Sequence, residues 1–157
     1  MTAGDRIRVG VVSFAGSGLF PIAPGTAGSA AAALVALVLD LVGWGSSGLL
    51  LGLAAAMALV TLALGPWIES HFREKDPSVV VLDEVVGQWI ALAVPLRMED
   101  PWLAYPAAFL LFRLLDVVKP LGARQLEKLP GAWGILLDDV LCGIYAALVL
   151  WGAGALL

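Results

Sequence analysis

The sequence predicts an all-α integral membrane protein, a compact bundle of about five transmembrane helices preceded by a re-entrant or interfacial N-terminal segment. Three observations carry this. Hydrophobic residues make up 61% of the chain and charged ones 14%, with a mean hydropathy of +0.94, far outside the soluble range. Apolar stretches near the roughly 20 residues needed to cross a bilayer recur along the chain. The segments between them are short and hold Gly, Pro and charge.

Taken in order, residues 9–24 are too short and too broken by Gly16, Ser17 and Gly18 to span, so they are expected at the interface or re-entering beside a site. Arg6 and Arg8 precede this run, but its shortness argues against a secretory leader. Spans are expected at 26–43, 47–68, 79–96, 102–118 and 135–157. Their breaks are Gly43-Trp44-Gly45, Asp76-Pro77, Glu99-Asp100-Pro101 and the loop from Lys119-Pro120 to Gly131. The first span holds Asp40 and an Ala-rich start, and the small residues at 28–33 suit helix contact better than lipid. No internal repeat or linker divides the chain, so 1–157 reads as one membrane-embedded domain.

Basic residues accumulate in cytoplasmic loops. With the N-terminus inside, Arg6, Arg8, Arg73, Lys75, Lys119, Arg124 and Lys128 are cytoplasmic, Arg113 lies near that end of its span, and Arg97 is outside. The same topology brings Asp83, Glu84, Asp116, Asp138 and Asp139 to the cytoplasmic side, where Pro24-Gly25-Thr26 also arrives.

An ionised group at membrane depth costs roughly 2.5 to 3.5 kcal/mol at a helix centre, so it normally faces a partner, a metal or a wet cavity. Five acids together point to a cation pocket. Asp83-Glu84 and Asp138-Asp139 are adjacent pairs, which diverge by about 100° on a helix, and each is followed by a glycine, Gly87 or Gly143, that permits close helix approach. Asp83 and Glu84 either share a metal or divide metal binding and general-base work. Carboxylates from separate helices suit a hard cation such as Mg²⁺, and the lack of a His or Cys cluster disfavours zinc.

Arg113, Asp116 and Lys119 follow i, i+3, i+6 spacing along one helix face, a natural phosphate clamp. Thr26 is placed to cap the first span, whose free N–H groups would then form an anion site, though taken alone the Gly- and Pro-rich segment 16–29 reads first as a structural turn. His71 reads as a solvated loop residue and Cys142 as a small core residue. The net charge of −4 and the buried acid speak against a nucleic-acid partner.

Three blocks carry a resemblance: Gly16-Ser-Gly through Pro24-Gly-Thr-Ala-Gly-Ser29; Asp76 with Val81-Leu-Asp-Glu-Val-Val-Gly87; and Phe112-Arg-Leu-Leu-Asp-Val-Val-Lys-Pro120 with Gly131 and Gly134-Ile-Leu-Leu-Asp-Asp139. In order and spacing the chain resembles the phosphatidylglycerophosphatase A family. That resemblance implies a membrane-embedded α-helical enzyme of the bacterial inner membrane. It would remove the terminal phosphate of phosphatidylglycerophosphate with Mg²⁺, with no obligate protein partner. Mapped onto these residues, Asp83, Glu84, Asp138 and Asp139 would bind one or two Mg²⁺. Asp116 would join them in catalysis, and Gly25, Thr26, Ser29, Arg113 and Lys119 would hold the substrate. The chain departs from the family pattern where a second proline, a Gly-Gly pair and a methionine are usual, having Gly122, Gly131-Ala132 and Leu136 there. No Asp-x-Asp is present and Cys142 has no Arg six residues on, which favours direct attack by water over a covalent intermediate. An ion-coupled transporter or channel is the alternative reading of intramembrane acids, weakened by their gathering at one face.

Overall fold

The structure, a computed structural model, describes residues 1–94, 101–120 and 122–154. Among them the chain forms seven α-helices and one short 3-10 turn, with no strand. Helix α1 (Ala3–Val12) starts with a capping box: Asp5 N–H donates to Thr2 Oγ at 3.1 Å and Thr2 N–H donates to Asp5 Oδ2 at 2.9 Å. Its length of about 15 Å is half the hydrocarbon thickness, so it does not span. The chain then turns through Phe14, Ala15 and Gly16, all with positive φ, into the 3-10 turn Ser17–Leu19.

Helices α2 (Pro24–Leu41), α3 (Ser47–Phe72), α4 (Leu82–Leu92), α5 (Pro101–Val118), α6 (Ala123–Leu126) and α7 (Ala132–Gly154) follow. Among the described residues three helices, α2, α3 and α7, are long and apolar enough to cross a membrane, against the five expected. The difference lies chiefly in α4. The expected span at 79–96 is helical only from Leu82 to Leu92, about 16 Å, and residues 95 and 96 lie outside the described ones. Helix α5 has eighteen residues, with Arg113 and Asp116 near its end.

Helix α4 sits in the middle of the bundle and packs on α7, α3, α2 and α5. Its contact with α7 depends on two glycines. A Cβ at Gly143 would fall on the Gly87 carbonyl oxygen and within 3.0 Å of the Gly87 Cα, so the backbones touch where those residues cross. Against α2, the Trp89 indole N–H donates to Ala32 O at 2.9 Å. The small-residue stretch 28–33 divides by helical period: Gly28, Ser29 and Ala32 are buried while Ala30 is exposed. The Tyr105 hydroxyl ties α5 to α2 by donating to Ala36 O at 3.3 Å.

Helix α2 begins earlier than expected. Ala23, with φ 50°, precedes Pro24 at the first helical position, where a missing N–H costs nothing. Thr26 is therefore inside the first turn and does not cap the helix, and no side chain does. His71 belongs to the last turn of α3, not to a loop, and its ring stacks on Trp67 with centroids 4.6 Å apart. Cys142 is buried in the core, as expected.

Candidate active site

The N-terminal turns of α4 and α7 and the C-terminal turns of α5 meet at one end of the bundle. Asp83 lies four residues before Gly87 and Asp139 four residues before Gly143, so each acid is one turn from the point where the backbones touch. That crossing brings their side chains together. Ligand oxygens of Asp83, Glu84 and Asp139 lie within 4.8 Å of one another, as do those of Asp116, Asp138 and Asp139. Asp139 belongs to both groups. The adjacent acids of α4 thus converge after all; the longer Glu84 side chain offsets the 100° divergence.

These carboxylates are poorly solvated and poorly paired. Asp83, Asp138 and Asp139 are at most 5% exposed. Asp83 Oδ1, Glu84 Oε2 and Asp138 Oδ1 are buried with no hydrogen-bond partner. Buried polar atoms normally have one, so orphaned carboxylate oxygens in two groups joined through Asp139 fit a hard, oxygen-seeking divalent cation. All the offered ligands are carboxylates, the set that suits Mg²⁺ and not zinc.

The cations are placed differently from one another. Arg113 Nη1 lies 2.6 Å from Asp116 Oδ2, a close ion contact one helical turn apart, while Arg113 Nε has no partner. Gly25 packs directly on this corner: a Cβ there would fall on Glu84 Oε1 and lie 3.4 Å from Arg113 Nη2. Lys119, just past α5 with φ 48°, is engaged twice, 2.6 Å from Asp138 Oδ2 and 3.0 Å from Glu127 Oε1. Burial pushes its ammonium pKa down, but the bonds to Asp138 and Glu127 outweigh that and raise it above the ordinary lysine value. Lys119 is charged at any working pH.

Of the residues expected to hold substrate, Gly25 and Arg113 stand at the acidic cluster and Lys119 borders it through Asp138. The Ser29 hydroxyl is buried and donates to Gly25 O at 2.9 Å, so it binds its own helix. Glu127, just after α6, reaches the site through Lys119. Sequence reasoning missed Gln88. It is fully buried one turn beyond Glu84, with neither amide atom bonded. Its signal was a lone amide inside the apolar run 85–92.

The departures from the family pattern have structural counterparts. Gly122 has φ 96°, which proline cannot adopt, so the loop entering α6 follows a course closed to the usual residue. The Ala132 methyl lies where a Cβ on Gly65 would come within 2.7 Å, so a glycine on α3 makes room for the methyl the family usually lacks.

Comparison with known proteins shows the family to which the chain is similar. The profile of the family described as PgpA, phosphatidylglycerophosphatase A, matches residues 10–153. A Bacteroides thetaiotaomicron protein with the provisional name phosphatidylinositol-3-phosphatase is 45% identical over 141 residues, 86% of this chain and 86% of its own. Proteins named phosphatidylglycerophosphatase A are similar too. The one from Escherichia coli is 32% identical over 88% of this chain and 78% of its own, and the one from Haemophilus influenzae 37% identical over 87% and 82%. No solved structure matches.

Proposed function

The chain belongs to the phosphatidylglycerophosphatase A family, and from that premise we propose that this lipid phosphatase hydrolyses the terminal phosphomonoester of phosphatidylglycerophosphate. The products are phosphatidylglycerol and inorganic phosphate. We place the reaction at a Mg²⁺ centre facing the cytoplasm, on the inner membrane of a bacterium. The observation that carries the reading is the set of orphaned carboxylate oxygens on Asp83, Glu84 and Asp138 beside the partly unpaired guanidinium of Arg113.

Five carboxylates against Arg113 and Lys119 would repel a phosphate group, so a cation held by Asp83, Glu84, Asp138 and Asp139 is part of the proposal. Bound there, Mg²⁺ supplies Lewis acidity toward the phosphoryl oxygens and the attacking water. Asp116 steadies Arg113, whose remaining N–H groups are directed to phosphate oxygens, a role that favours the planar, forked guanidinium. Lys119 holds Asp138 in place, a positioning role more than a free clamp. Gly25 lets Glu84 and Arg113 abut the start of α2, where a side chain would displace them. Gln88 offers an amide to whatever polar species occupies the space past Glu84. The acids deliver the proton chemistry; the local geometry is compatible with Asp83 or Glu84 as base. The cytoplasmic assignment rests on the asymmetry of Lys and Arg along the chain.

A second substrate, phosphatidylinositol 3-phosphate, is favoured by the name of the Bacteroides relative. Both are lipid phosphomonoesters. Phosphate release by the purified protein in detergent, from each lipid with Mg²⁺ and with excess chelator, separates the readings. The proposal expects faster, chelator-sensitive release from phosphatidylglycerophosphate. Faster release from the inositol lipid would replace the substrate, and no release from folded protein would remove the function.

A further inference from the structure

Away from the acids, an apolar groove of about 330 Å³ runs between α2 and α5 on the outer face of the bundle. Ala30, Ala33 and Leu37 line it from α2, and Tyr105, Pro106 and Phe109 from α5. The Tyr105 hydroxyl is engaged with Ala36 O, which leaves its ring to the wall. The volume is that of a small-ligand site.

Both walls run toward the end of the bundle that holds the acids. On α2, Ala30 lies five residues after Gly25, the residue packed on Glu84 and Arg113. On α5, Phe109 lies one turn before Arg113. From Ala30 to Leu37, the stretch of α2 that lines the groove, the rise is about 10 Å, roughly two thirds of the ~15 Å depth of one leaflet's hydrocarbon. A polar end with an unpaired guanidinium N–H and an apolar trough running most of a leaflet's depth, on the same two helices, match one amphipathic molecule.

We propose that this groove seats an acyl chain of the lipid phosphomonoester, aligning its phosphate end with Arg113 and the acids; the inference rests on the lipid-phosphatase reading and adds how the lipid is oriented. The groove selects for a chain that lies along α2, and substrate enters sideways from the bilayer.

The test fills the groove and compares two chain lengths. Ala30 is exposed and lines the groove, so Ala30→Trp occupies it without entering the core. Val38, also on α2 and 50% exposed, lies outside the lining, so Val38→Trp is the control. Ala30→Trp is expected to raise the apparent KM for dioleoyl phosphatidylglycerophosphate about tenfold, with kcat within about twofold. The dihexanoyl substrate and Val38→Trp are expected to show no change. An equal effect on both chain lengths, or none, overturns the proposal.

A second measurement does not depend on turnover. A lipid phosphomonoester with a diazirine in one chain, photolysed on the unmutated protein, should label α2 and α5 at the groove. Labels without phosphate release would keep the groove and sink the phosphatase. Labels spread over α3 would sink the groove. A loss of dimer in Ala30→Trp during size-exclusion chromatography would assign the groove to a second copy of the chain, which also overturns the proposal.

Discussion

Helices α3 and α4 are neighbours in the bundle and opposites in design. Helix α3 has 26 residues, of which only Leu50, Ala54, Thr61, Gly65 and Ile68 are buried, and none of its residues joins the acidic cluster. Helix α4 has 11, nearly all buried, and opens with Asp83 and Glu84. The long helix is largely exposed and apolar, a wall of the bundle; the short one is enclosed by protein and supplies two acids of the cluster. Hydropathy finds the first kind. The second is marked by polar residues inside an apolar run, because an enclosed helix can hold charge that a lipid-facing one cannot.

The contrast can be broken or sharpened by substitution. The largest effect belongs to the acids at the crossing. Asp83→Asn and Asp139→Asn are each expected to lower Mg²⁺-dependent phosphate release by at least about 100-fold in protein that still elutes as a folded particle. Near-native release from both would end the metal-centre account. Next come the glycines. Gly143→Ala sets a methyl against the Gly87 backbone, which cannot give way as a side chain would, and should destabilise by about 1 to 3 kcal/mol in detergent unfolding. Gly52→Ala on α3 meets nothing within 4 Å and is expected to be neutral or to stabilise by up to about 1 kcal/mol. If the two variants shift stability alike, α4 and α3 do not differ as described.

Lys119→Gln should reduce kcat/KM by roughly tenfold, because Asp138 loses the cation that holds it. Lys119→Arg restores part of the loss if the role is positioning. The smallest effect is expected at Leu59, 68% exposed on α3, where Leu59→Ala should change stability by no more than about 0.5 kcal/mol and activity not at all.

The sequence revealed α3 from its first residue and α7 from close to its start, because long uniform apolar runs have one good solution in a bilayer; α3 runs four residues past the expected span, and residues 155–157 of the last expected span lie outside the described ones. It overextended α4, since burial among helices and burial in lipid leave the same composition. The five acids were legible from their cost at membrane depth, and the structure gathers them. Thr26 as a cap was not legible correctly: Pro24 starts the helix first, a choice fixed by the left-handed Ala23 and by packing of Gly25 on Glu84. The twofold pairing of Lys119 depends on where α6 puts Glu127, a tertiary fact with no local pattern. Gln88 carried a signal weaker than a charge, an amide whose burial without a partner shows only in three dimensions.

The central claim is that carboxylates from α4, α5 and α7 form one divalent-cation centre with Asp139 shared between its two halves. Mn²⁺, followed by electron paramagnetic resonance during titration of the purified protein, is the direct probe. The account expects saturable binding by the unmutated protein, displaced by Mg²⁺ and weakened at least about tenfold in Asp139→Asn. Equal Mn²⁺ binding by the two proteins, or none by the unmutated one, would contradict it.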